Sequence, residues 1–399
     1  MSSTKRIARL EPRRAWGAGF LAAALLLAAC GDADNGATDA VDDEAAEPAA
    51  DDEDAGTDDV ASFDEEEFTF ASYIPQSVAF GVALDSWMDK VEDETDGAVT
   101  FDAHYDGSLY TVTELRDAVI DGRVDVAHFS AAYFPNEFPL TTASHVPFLT
   151  DNLPAQMATF NQLYEENEQY RAEFEDQGLV LLQFIGVQEG IVTSPEPIDS
   201  LDYFQTASNR ASADFVSALE AIGASEIVTL PTNELYEALE RGLADTVVGF
   251  TLDVGAALSL VEVTPYFVDV GAGQWADTVV VMREDTWNGL QDATRTVMTD
   301  AMGELPDEYV ATITDRDAEA CEQVLDGGGE VLRLPEDEIE RWRDAAEQPL
   351  ADNWAERAGG AGVADPERFF DEYLSVLADK EAEFDDFESG MELCMEQSS

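Results

Sequence analysis

Hydrophobic and polar positions along the chain follow two different periods. From Glu67 the run FTFASY alternates, which predicts a first strand. Phe80, Leu84, Trp87, Met88 and Val91 then recur at helical spacing, and Thr95-Asp96-Gly97 ends that helix. Val99 to Ala103 alternates again; Thr113 can cap a short helix over ELRDAVIDG, and VDVAHFS follows as a strand. Strand, helix, strand, helix, strand is the order of a parallel sheet covered by helices. Gln156 to Gln177 reads as one long acidic helix, and the near-continuous apolar run Leu179 to Val187 as a buried crossover strand.

A second alternating set follows. Phe215, Leu219 and Ile222 mark a helix that Gly223 stops, Ile227 to Leu230 a strand, Asn233 to Arg241 a helix, and Thr246 to Phe250 another strand. Thr278 to Met282 is a strand that returns the chain to the first set. Helices over Trp287–Met302 and near Pro306–Leu325, the short strand EVLRL, and helices at about 336–348 and 366–395 complete the chain. The expectation is an α/β protein with domain I at 63–187 plus about 276–315 and domain II at 188–275 plus about 327–365. A bridging helix falls at about 306–326 and a C-terminal helix within 366–399.

The first 62 residues fit neither period. Lys5, Arg6, Arg9, Arg13 and Arg14 precede the apolar run WGAGFLAAALLLAA, which is too short for a stable membrane span and reads, over 1–29, as an export signal. It ends at Leu27-Ala28-Ala29-Cys30, which resembles a bacterial lipoprotein box and implies cleavage before Cys30 and lipid on its sulfur. Thirteen acids and no base lie in 31–62, so 30–62 is expected to be an extended acidic tether.

Charge narrows the partners. The formal net charge is −66, and loss of 1–29 leaves 15 bases against 85 acids, with Lys90 and Lys380 the only lysines. Such a surface repels nucleic-acid phosphates and anionic membranes. It suits high salt, where screening over about 3 Å near 1 M removes the self-repulsion. His104, His128 and His145 show no ligand spacing with Cys, so no metal is expected. There is no GxGxxG, no Walker loop and no GxSxG elbow, so no cofactor and no enzyme activity are expected either. Cys321 and Cys394 fall on C-terminal helices and, outside the cell, can pair.

One cation stands apart. Between Ala172 and Glu240 the only Lys or Arg is Arg210, among thirteen acids. Its planar fork suits a carboxylate held bidentately, whether a neighbouring side chain or a ligand.

Five ordered blocks stand out: DETDGAVTF, a turn into a strand; DGSLYTVTELRDAVIDGRVDVAHFSAAYFPNEFPLTTASHVPF, with its Leu, Gly-x-x-Asp, Pro-Leu and Pro-Phe; PIDSLDYFQTASNR, which ends in Arg210; TLPTNELYEALERGLADTVVG; and MREDTWNGL. Together they resemble the extracytoplasmic solute receptors of TRAP transporters, the DctP-like family. The resemblance places Arg210 on the family's carboxylate-binding arginine. The resemblance implies a two-domain, periplasmic-binding-protein-like fold of class II type with a long helix bridging the domains. It implies a monomer that takes a small organic carboxylate and passes it to the small and large membrane subunits of a permease. The sequence departs from the pattern in three places. Thr206, Ala207 and Ser208 replace a Gly and two Lys, Gly190 falls close to a second ligand arginine, and Gly249 falls near an asparagine.

Ligands in open α/β sheets collect at the C-terminal ends of strands. On that ground Tyr73, Phe129 and Tyr133 are candidate ligand walls in the first domain, and Phe250 and Trp275 in the second. Glu189, beside Gly190, is a strand end that would favour a positively charged ligand group if it faced the cleft. A receptor for an ATP-driven importer or a sensory system shares this layout. An exported hydrolase would need a nucleophile–base pair, which the sequence does not display.

Overall fold

The computed structural model describes residues 62–211, 213–230 and 234–398. The export signal, the tether and Cys30 lie outside the described residues. The strands, in chain order, are β1 (Glu66–Ser72), β2 (Val99–His104), β3 (Val126–Phe129), β4 (Leu179–Gly186), β5 (Ile191–Ser194), β6 (Asn209–Ala211), β7 (Ile227–Val228), β8 (Thr246–Val248), β9 (Tyr266–Asp269), β10 (Asp277–Arg283) and β11 (Glu330–Arg333). They form two sheets, ordered β2-β1-β3-β10-β4 and β11-β9-β5-β8-β6-β7. In the first, β1 is parallel to β2 and β3, while β10 returns antiparallel between β3 and β4. In the second, β6 is parallel to β7 and β8, and β5 runs antiparallel to β8 and β9.

The helices are α1 (Ala79–Glu94), α2 (Val112–Ile120), α3 (Leu153–Glu166), α4 (Glu168–Glu175), α5 (Asp202–Thr206), α6 (Ala213–Ala221), α7 (Leu235–Glu240), α8 (Leu252–Ala257), α9 (Glu284–Gly289), α10 (Asp292–Asp326), α11 (Glu336–Gly360), α12 (Pro366–Glu383) and α13 (Gly390–Ser398). Two sequence expectations fail at proline. Instead of two helices meeting at Pro306, α10 is one helix of 35 residues. Proline removes one helical hydrogen bond, but Met298, Ala301, Met302, Leu305, Tyr309 and Ile313 form one buried stripe across it. Packing of that stripe outweighs the local loss. Likewise α11 passes Pro349, with Leu350 and Trp354 buried beyond it. Two other helices are shorter than expected. The 156–177 segment divides at Asn167, whose side chain accepts from Tyr170 N. The 366–395 segment divides before Ser389, whose Oγ accepts from Glu392 N at 3.3 Å.

The chain crosses between the sheets at 187–190 and again at 270–276, and the crossings are hydrogen-bonded to each other through Val187 N to Ala276 O at 3.1 Å and Gly190 N to Gly273 O at 2.8 Å. Gly273 has a φ of +63°, and a Cβ there would lie 2.2 Å from Thr150 O, so only glycine fits. α10 packs on α1 beside the first sheet and on α8 and α13 beside the second.

A disulfide between Cys321 and Cys394 fastens α13 to α10. Glu189, within the first crossing, accepts from Met391 N at 3.0 Å and so caps α13. Burial pushes its carboxyl up from 4.5 to about 7. A carboxyl raised on folding keeps a proton that the unfolded chain has released, so its stabilising contribution falls as pH rises from about 4.5 to 7. Glu189→Gln keeps the accepting oxygen without the titration. Denaturant unfolding of both proteins at fixed salt should show the variant gaining on the parent across that window, by up to about 3 kcal/mol. A gap that does not change with pH would mean that Glu189 is ionised throughout.

Candidate functional site

Strand β6 is three residues long, and its alternation decides the site. Asn209 points into the surrounding backbone: Nδ2 donates to Phe204 O at 2.8 Å and Ala207 O at 2.9 Å, and Oδ1 accepts from Thr246 Oγ1 at 2.9 Å. The next residue, Arg210, therefore leaves the opposite face of the sheet. It pairs in register with Val247 on β8 and Val228 on β7, and is 6% exposed. Its Nε and Nη2 both donate to Leu230 O, at 3.2 and 2.8 Å. That carbonyl fixes the plane of the fork from one edge. Among the described residues no carboxylate forms an ion pair with Arg210, although thirteen acids surround it in sequence. Burial alone pushes its pKa down, because the charged form has lost water without gaining a counter-charge.

Arg210 lines a cleft of about 310 Å³. On the first-sheet side the walls are Ile74 and Pro75, just past β1, and Val78, Ala79 and Phe80 at the start of α1. Opposite them are Gly249, Phe250, Thr251, Asp253 and Val254, which follow β8. Val187 and Gln188 of one crossing, Trp275 of the other, and Tyr309 of α10 close the remaining sides. Both sheets thus present strand C-terminal ends to one space, as open α/β sheets do.

Aromatic rings shape the interior. Phe80 stacks on Tyr309 with centroids 4.7 Å apart, and the Tyr309 hydroxyl is held by Gly186 O at 3.0 Å. Trp275 lies against Phe215 at 5.8 Å, and its Nε1 is buried with no hydrogen-bond partner among the described residues.

Of the residues expected from sequence, Arg210, Phe250 and Trp275 meet in this cleft. Tyr73 stands beside it, 5.9 Å from the His128 ring and edge-on to the half-exposed Tyr133 at 6.0 Å; neither tyrosine lines the cavity. Phe129 is a core residue instead: it is fully buried against Phe134 and Phe138 at 5.2 and 5.6 Å, on the side of β3 opposite His128. Glu189 is neither solvated nor in the cleft, since capping α13 turns its carboxylate away from the ligand space. His128 is buried, shares a 2.9 Å hydrogen bond with Ser72 through Nδ1, and is pushed down to about 3 by burial. Among the described residues no group of three or more His, Cys, Asp or Glu is placed to hold a metal ion. Phe80, Tyr309 and Asp253 escaped sequence reasoning. The first two fall within helical core stripes, and Asp253 is one of 86 acidic residues.

Two sheets, paired crossings, one long helix touching both sides and a cleft arginine with no counter-ion among the described residues are the layout of a periplasmic-binding-protein-like fold. The profile of the bacterial extracellular solute-binding protein family 7 (DctP) matches residues 70–357, and the chain belongs to that family. It is similar to the ectoine-binding periplasmic protein TeaA of Halomonas elongata, at 24% identity over 301 residues, which cover 73% of this chain and 85% of that protein. The fold matches a TRAP periplasmic solute-binding protein from Desulfovibrio salexigens with a TM-score of 0.69 at 21% identity, covering 79% of this chain and 96% of the other. It also matches the apo ectoine-binding protein of the TeaABC TRAP transporter with a TM-score of 0.68 at 21% identity, covering 78% and 99%. The family is one of extracytoplasmic solute receptors rather than of enzymes.

The glycine near the expected second arginine now has a physical account. A Cβ on Gly190 would lie 2.7 Å from the Phe215 ring and 2.8 Å from that of Trp275. Those two rings fill the space that a side chain at 190 would need.

Proposed function

We propose that this chain is the solute receptor of a TRAP-type secondary transporter, and that it binds a small organic carboxylate through Arg210. The observation that carries the reading is a buried arginine, held in plane by Leu230 O, with no counter-ion among the described residues and an aromatic cleft in front of it. The two sheets are the cores of domains I and II, bounded near 63–187 plus 276–315 and 188–275 plus 327–365, which move about the crossings. Closing them removes water from the cleft, where a bidentate arginine–carboxylate pair gains strength. The ligand carboxylate is therefore what makes closure favourable. TeaA, by its name an ectoine binder, supports a compact solute.

The remaining assignments concern setting. Cys30 carries the lipid that holds the receptor on the outer face of the cell membrane, the tether gives it reach, and the acid-rich surface suits a salty medium. The partners are the small and large membrane subunits of the permease, to which the monomeric receptor delivers its ligand. A thermal-shift screen of the mature protein in molar salt tests the core of this reading. Compact carboxylic acids should raise the melting temperature, with about 2.7 kcal/mol of stabilisation at a hundredfold excess over Kd. A screen in which uncharged amides stabilise the protein as well as the acids do would count against it.

A further inference from the structure

Among the described residues, the cleft holds a second charge without a counter-charge. Asp253 stands in the first turn of α8 and lines the same cavity as Arg210. Its Oδ1 accepts from Thr251 Oγ1, a neutral donor that orients the carboxylate. Among the described residues Asp253 has no ion-pair partner, and it is not paired with Arg210 across the cleft. A cation and an anion that face one small space and do not neutralise each other match a ligand carrying both complements. The walls agree. Phe80, Phe250, Trp275 and Tyr309 surround the space, and aromatic faces attract cations most strongly where water is excluded. A dianionic ligand would set a like charge against Asp253 at close range, where salt screens little. A net-neutral ligand avoids that contact.

We infer that the solute is a compact zwitterion, with its carboxylate on Arg210 and a protonated nitrogen against Asp253 between the aromatic rings, and that Asp253 is the residue that selects it. The inference rests on the Arg210 reading above and adds the ligand's second charge.

Calorimetric titration with matched pairs tests it: L-proline against cyclopentanecarboxylate, and pipecolate against cyclohexanecarboxylate. Each pair keeps the carboxylate and ring and differs in the cationic nitrogen. The parent protein should bind the tighter imino acid at least about tenfold better than its carbocyclic partner. Asp253→Asn keeps the oxygen that accepts from Thr251, and it should erase or reverse that preference while the carbocyclic acid binds as well as before or better. Asp253→Glu, which keeps the charge, should retain the preference. If the parent prefers the carbocyclic acids, or if Asp253→Asn weakens both members of a pair equally, the zwitterion assignment is wrong and the carboxylate reading stands. If no member of either pair binds, both readings fall for ligands of this size.

Discussion

Arg210→Ala loses carboxylate binding by about 30- to 5,000-fold, while the free protein melts no lower than the parent. The size follows from truncating one partner of a desolvated, hydrogen-bonded charge pair, which costs roughly 2–5 kcal/mol. The second half of the expectation separates a ligand clamp from a structural ion pair. Arg210 is buried and its only hydrogen-bond acceptor among the described residues is the Leu230 carbonyl. Removing an unneutralised buried charge relieves a desolvation cost, so the empty variant keeps or gains stability even though Leu230 O loses two donors. A structural salt bridge would behave in the opposite way, with stability lost and binding little changed. Arg210→Lys should recover part of the affinity at most, since an ammonium cannot present two parallel donors while staying on Leu230 O.

Replacing Cys321 and Cys394 with serine lowers the stability of the folded unit by about 4 kcal/mol, on the chain-entropy account of a crosslink that spans 73 residues. The loss is greatest around α13. That helix is only nine residues long and is held by the disulfide, by burial of Met391, and by the Glu189 cap. Without the crosslink, Gly390–Ser398 should exchange its amide hydrogens orders of magnitude faster than α10, and protease should cut there first. Equal protection of α13 in both proteins would show that packing alone suffices. Asp317, buried beneath Gly390 with its carboxyl pushed well up by burial and by Glu189, would be uncovered by the same release.

Much of the fold was legible in the sequence because the two periods alternate cleanly. FTFASY, VDVAHFS and Leu179–Val187 became β1, β3 and β4, and Thr278–Met282 returned to the first sheet as β10. The unread parts share one cause, namely that packing decided where local pattern was neutral or adverse. Pro306 and Pro349 do not stop their helices because a buried stripe continues past each. Asn167 does divide one, since its side chain satisfies the next helix start. The four-residue strands β5 and β9 are too short to show a period, and only pairing with each other and their neighbours defines them.

The site was legible where a residue was rare and hidden where it was common. Arg210 stood out as the one cation between 172 and 240, but the three-residue strand β6 that aims it was not read from the sequence. Phe129 and Phe250 look alike in sequence, each closing a short strand. Only the sheet's surroundings send the first into the core and the second to the cleft. Glu189 and Asp253 show the same limit for charge. Both are acids near the crossing region, yet one caps a helix and the other faces the ligand space.

The most direct measurement of the Arg210 assignment is a calorimetric cycle: one bound acid and its isosteric primary amide, each titrated into the parent and into Arg210→Ala. If the arginine holds the carboxylate, the parent should favour the acid by at least about 30-fold and the variant should bind acid and amide alike. An acid-to-amide ratio unchanged by the substitution would place the carboxylate elsewhere and contradict the account.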